Sequence, residues 1–131
     1  MAEKKDEKKV VELGFREKFL SNDEFRKKTV DWNGYEVELK ELTAAQRGNV
    51  YKSSMVTKTK RGSEDMIQEI DQTKLNVWAV IYQTYDPNTK TKVFQNSDFD
   101  ALAALPCSVL DTLARPALEL LGEEVEEAEK N

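Results

Sequence analysis

Apolar and polar residues alternate along "KKTVDWNGYEVELKE", residues 27–41, on both sides of Asn33-Gly34. Two runs rich in β-branched and aromatic residues around Asn-Gly predict a β-hairpin with a type I′ turn. In that register Trp32 faces Tyr35, Val30 faces Val37 and Lys28 faces Leu39, while Asp31 with Glu36 and Thr29 with Glu38 fall on the other side. A two-stranded ribbon with one apolar face is not stable alone in water, so Trp32, Tyr35, Val37 and Leu39 must cover helices of the same chain or meet another protein.

Downstream the period changes to that of helices. In "LTAAQRGNVYKSSM" Thr43 and Gln46 have capping-box spacing, which predicts a helix from Ala44 to near Val56 with Tyr51 and Met55 one turn apart. The polar run "TKTKRGS" reads as a mobile loop. Ser63 then caps a helix over residues 64–85, with Ile67, Ile70, Lys74, Val77 and Ile81 on one stripe and Leu75, Trp78, Tyr82 and Tyr85 on a second; a fresh start capped by Asp71 is the alternative. Pro87 stops this helix, and "TKVFQN" is a candidate short strand. Ser97 opens a short helix to Leu105. Pro106 introduces the last one, Cys107 to Leu121, with Val109, Leu110, Leu113, Ala117, Leu120 and Leu121 inward, Gly122 as its stop, and Pro116 kinking or splitting it at Arg115.

These elements make one α+β domain over residues 14–122, mostly helical, with an N-terminal hairpin packed on helices. The chain's length of 131 residues suits a single core. The ends differ in kind. Residues 1–9 hold four Lys against Glu3, Asp6 and Glu7, and residues 122–131 hold five Glu against Lys130, so residues 1–13 and 123–131 are expected to be a flexible charged leader and a flexible acidic tail.

Composition narrows the chemistry. With no His and one cysteine, the chain cannot build a His-dependent triad, a Cys/His zinc site or an internal disulfide. The acidic pairs Glu36/Glu38, Glu64/Asp65 and Asp98/Asp100 fit solvation and helix capping better than acid–base work or a cation site. Cys107 reads as a buried small hydrophobe. No catalytic, cofactor or metal residue is assigned, and no apolar run reaches the length of a membrane span. Between Glu41 and Glu64 every charge is positive: Arg47, Lys52, Lys58, Lys60 and Arg61. That cluster defines an alternative function, a nucleic-acid-binding accessory protein using residues 47–61. The net charge of −5 and the lack of a nucleic-acid-binding signature weigh against it, and an electrostatic handle for an acidic protein segment fits better.

The capped junction "VELKELTAAQR", the apolar "LNVWAVIYQTY" and the closing "DFDALAALPCSVLDTLARPALELLG" together resemble, in their order, the tail assembly chaperones of long-tailed bacteriophages over Thr29–Gly122. The charged leader and the basic residues 57–62 depart from that pattern. The resemblance implies a non-enzymatic protein of the host cytoplasm, absent from the mature virion. It would bind the tape measure protein, a long helical rod, keep it soluble, and help recruit tail tube protein, with self-association a further option. A small structural connector of the virion is the other alternative.

The residues expected to meet partners are Trp78, Tyr82 and an exposed Leu118, forming a groove beside Leu75, together with Lys58, Lys60 and Arg61. Core packing is the other role open to Trp78. The family is commonly made in two lengths by a programmed frameshift. Glu129-Lys130-Asn131 can be encoded by a slippery A-rich heptamer, which makes a frameshifted longer product an expectation here.

Overall fold

The computed structural model describes residues 14–59, 61, 62 and 64–123. The leader 1–13, Lys60, Ser63 as a cap, and the tail from 124 with its frameshift tripeptide lie outside the described residues.

Asn33 and Gly34 both take positive φ, 52° and 89°, as a type I′ turn requires, and Asp31 Oδ1 accepts the Gly34 N–H at 2.9 Å. The turn fixes β1 (Lys27–Trp32) against β2 (Tyr35–Lys40) in the expected register, Trp32 opposite Tyr35 through Lys28 opposite Leu39. Arg26 locks the open end. Its N–H donates to Glu41 Oε1 at 3.0 Å and its guanidinium reaches Glu41 Oε2 at 3.3 Å, holding that carboxyl below its ordinary 4.5; the backbone hydrogen bond is the main cause and partial burial opposes it. Upstream, residues 14–20 are helical (α1), an element the sequence reading leaves unassigned.

Thr43 and Gln46 close the capping box, Gln46 N–H to Thr43 Oγ1 at 3.1 Å and Thr43 N–H to Gln46 Oε1 at 3.0 Å, and start α2 (Ala44–Ser54). Beyond Ser54 the structure corrects the expectation twice. Met55–Thr59 is a strand (β3), not a helix end followed by a loop, and it pairs antiparallel with a second strand, Met66–Ile70 (β4), where a helix was expected. The helix begins only at α3 (Gln72–Gln83), where Asp71 Oδ1 accepts the Lys74 N–H at 3.0 Å, as the alternative start required. Ile67 and Ile70 lie in phase with the α3 stripe by spacing, but the pairing with residues 55–59 satisfies their backbone instead.

After α3 the chain adds β5 (Thr84–Tyr85) to β2, giving a three-stranded sheet in the order β1-β2-β5. The candidate strand 91–96 is reduced to one bridge, Tyr85 with Lys92. A 3-10 turn (Asn96–Asp98) leads into α4 (Phe99–Ala103), and α5 runs Cys107–Leu121. It passes through Pro116 without splitting at Arg115. Gly122 at φ 102° ends it, with Glu123 N–H donating to the Leu118 carbonyl at 3.0 Å in the Schellman manner.

α3 is the central element. Its Leu75 and Ala79 pack with Leu39, Val50, Ala117, Leu118, Leu120 and Leu121, and its Val77, Val80 and Ile81 with Leu102, Leu110 and Ala114. The sheet lays Leu39 into this core, and Lys28 pairs with Glu119 of α5 across the interface. Fold class and hairpin packing are as the sequence implies.

Candidate functional site

Trp78 and Tyr82 stand one turn apart on α3, rings edge-on at 6.1 Å, with Phe99 at 5.0 Å from Trp78 and the Lys92 ammonium 4.9 Å above Tyr82. Both are half-buried and pack against both halves of the core. Leu118 is 8% exposed and belongs to the first of those halves, which corrects the expectation that it faces solvent. Its neighbours Ala117 and Glu119 explain the difference. The sheet covers α5 from the Lys28–Glu119 side, so the inward arc is wider than the periodic residues alone suggest, and Leu118 falls inside it. Trp78, Tyr82 and Leu118 thus come together, as packing rather than as an open groove. Cys107, expected to be buried, is exposed at the start of α5.

Lys58 and Arg61 lie elsewhere. β3 and β4 form a two-stranded arm whose residues are exposed except for the half-buried Val56. Opposed residues share a face, so one face holds Val56, Lys58, Ile67 and Glu69, with Lys58 paired to Glu69 at 3.2 Å. The other face holds Met55, Thr57, Thr59, Met66, Gln68 and Ile70 and carries no charge. Met66 is 73% exposed at its far end, opposite Thr59, and Met55 and Ile70 are exposed opposite each other at its base. Asp71 N–H donates to the Ser54 carbonyl at 2.8 Å and closes the base of the arm.

A second apolar surface lies between the hairpin tip and α4–α5. Trp32, Tyr35 and Val37 on one side and Leu102, Leu105, Val109 and Leu113 on the other bound a groove of about 280 Å³, lined by no charged side chain. Val109 and Leu113, expected inward, are half-buried because they border it. Tyr35 is 71% exposed at its mouth. Trp32 and Tyr35 were legible as an apolar face; the arm was not, because its strands bury neither side and carry no alternation to read.

Among the described residues no group of three or more His, Cys, Asp or Glu side chains could hold a metal ion, and no helix is long and apolar enough to cross a membrane. No curated protein matches the sequence. One solved structure that matches, titled "Structure of bacteriophage HK97 tail assembly chaperone", shares 19% identity over 74% of this chain and 86% of that one, with a TM-score of 0.49. The family described as phage tail assembly chaperone matches residues 15–131, nearly the whole domain and the tail beyond it, and the chain belongs to that family.

Proposed function

We propose that this chaperone binds the tape measure protein in the host cytoplasm, keeps it soluble, and holds it while tail tube subunits gather around it, leaving before the virion is complete. The observation that carries the reading is the uncharged face of the β3–β4 arm. In a chain that is 34% charged, six positions on one exposed face carry no charge, and two of them are methionines. Unbranched thioether side chains adapt to apolar stripes of different sequence, which suits a partner offering many similar but unequal helical segments. Each contact is a small patch, so many copies along one rod act through multivalency, and each can be displaced in turn. The net charge of −5 keeps such a complex dispersed.

Co-expression of the tape measure protein with wild-type chaperone and with Met66→Lys/Ile70→Lys tests this. The wild type is expected to hold the tape measure protein in the soluble fraction, and the variant, folded by circular dichroism, to release it to the pellet. Equal solubilisation by both would exclude the arm. Retention of RNA with no effect on the tape measure protein would favour the basic residues Arg47, Lys52, Lys58 and Arg61 as a nucleic-acid site.

A further inference from the structure

We infer that residues 124–131 run along α2 toward the β3–β4 arm and set their glutamates against Arg47, Lys52 and Arg61, so that the chain closes its own basic surface to other polyanions. This goes beyond the binding of tail proteins and does not depend on it. Residues 42–62 hold Arg47, Lys52, Lys58, Lys60 and Arg61 and no carboxylate, whereas residues 124–131 hold Glu124, Glu126, Glu127 and Glu129 against Lys130. The two stretches are opposite in sign. Glu69 already takes up the charge of Lys58, at 3.2 Å. Among the described residues no carboxylate lies within ion-pairing distance of Arg47, Lys52 or Arg61, and all three are exposed.

The fold brings the acidic stretch onto the basic one and sets its direction. Gly122 meets Arg47, whose Nη1 stands 4.0 Å from the point that a Cβ on this glycine would occupy. Glu123 meets Tyr51, four residues further along α2, through the 2.6 Å hydrogen bond donated by the phenol. One residue of chain thus moves the contact one helical turn toward the arm. The Glu123 N–H is also held by the Leu118 carbonyl, so the segment leaves from a fixed position. Lys52 adjoins Tyr51, and the arm begins at Met55.

Length permits the contact. Tyr51 to Met55 is about 6 Å along a helix, and Met55 to Thr59 about 13 Å along a strand. Residues 124–131 extend to about 26 Å, enough to pass Thr59 and reach Arg61. Each pair is exposed and weak by itself. Tethering compensates, because a segment joined at Glu123 meets these cations at roughly millimolar effective concentration. The contact therefore forms at low salt and is lost as the screening length shortens from about 30 Å at 0.01 M to about 3 Å at 1 M. The leader is the other basic stretch, with Lys4, Lys5, Lys8 and Lys9, but Glu3, Asp6 and Glu7 offset most of its charge.

Amide NMR spectra of the full chain and of a chain ending at Glu123 test the inference, together with fluorescence anisotropy of a labelled oligothymidylate as the polyanion probe. Both chains keep the Tyr51 contact and every described core residue, so the shortened one should retain the wild-type circular dichroism. At about 0.01 M salt the truncation should shift the amides of Arg47, Lys52 and Arg61, and the shortened chain should bind the probe about tenfold more tightly; at about 1 M both differences should vanish. The full-length variant Glu124→Gln/Glu126→Gln/Glu127→Gln/Glu129→Gln should behave as the shortened chain does. Unshifted amides over residues 47–61 would overturn the inference whatever the probe does, since tighter binding would then reflect net charge alone. Shifts confined to residues 4–9 would place the segment on the leader instead. Equal affinity of the two chains for the probe would show that the basic surface is not closed.

Discussion

The Tyr51 hydroxyl donates to Glu123 Oε1 at 2.6 Å, joining α2 to the residue that follows the left-handed cap of α5. Glu123, expected in the free tail, is thus held at both backbone and side chain. Burial first, then the Glu123 hydrogen bond and charge, push the Tyr51 phenol up to about 12 from its ordinary 10.0, and Arg47 opposes them. The folded protein therefore keeps a proton that the unfolded chain loses from about pH 10. The contribution of this proton to stability is complete below pH 10 and falls away as pH rises toward 12. Tyr51→Phe should lower stability by about 1 kcal/mol at neutral pH, with the gap to wild type closing above pH 10. Absorbance titration of the phenols should show one late step near pH 12 that the variant lacks; a wild type without such a step would refute the assignment.

Leu118 now has a structural role to test. It is buried with Leu39, Leu75 and Leu121 where α5 meets α3 and the sheet. Leu118→Ala should cost about 2–5 kcal/mol through lost transfer free energy and the cavity left behind, and Leu118→Asp should prevent folding. Urea unfolding monitored by tryptophan fluorescence reads this directly. A change under about 0.5 kcal/mol for the alanine variant would mean that α5 is free to turn this residue outward.

Asp71 ends one element and begins another: its N–H closes the arm on Ser54 while its carboxylate caps α3. Asp71→Ala should cost about 1 kcal/mol, and Asp71→Asn should recover most of it, since an amide oxygen caps as well as a carboxylate. Thermal unfolding of the three proteins checks the order wild type, Asn, Ala. Equal loss in both variants would assign the effect to charge rather than to the cap.

The same residue shows what the sequence can and cannot reveal. Asn33-Gly34 determines its hairpin locally, because only residues that accept positive φ fit that turn and a shift by one would expose Leu39, so the register could be read residue by residue. Thr43 with Gln46 and Gly122 are equally local signals, and the ends they mark were found. Residues 66–70 offer no such signal. Their apolar positions fit a helical stripe running into α3, and their true partner, residues 55–59, is polar enough to read as a loop. The pairing is decided by contacts between segments that are separately ambiguous. The groove needed the third dimension too, since Tyr35 and Leu105 are far apart in sequence and line one groove only in the fold. Phe15 and Phe19 left a trace, an i, i+4 aromatic pair, beside a leader whose charge drew the reading toward disorder.

The last prediction separates the arm from the fold. Among the described residues from 55 to 70 none belongs to the buried core, and the arm's base is closed by Asp71 N–H on the Ser54 carbonyl and by the pairs Met55–Ile70 and Val56–Glu69. Replacing residues 57–68 with Asn-Gly keeps both pairs and joins them by the turn already used at Asn33–Gly34. Because the described residues of the excised part are all exposed, the melting temperature should fall by no more than a few degrees, and unfolding should remain a single cooperative step. The proposed function requires a second outcome, loss of the ability to keep the tape measure protein soluble. An arm whose removal collapses the domain would instead be part of the core's support, and its uncharged face would need another explanation.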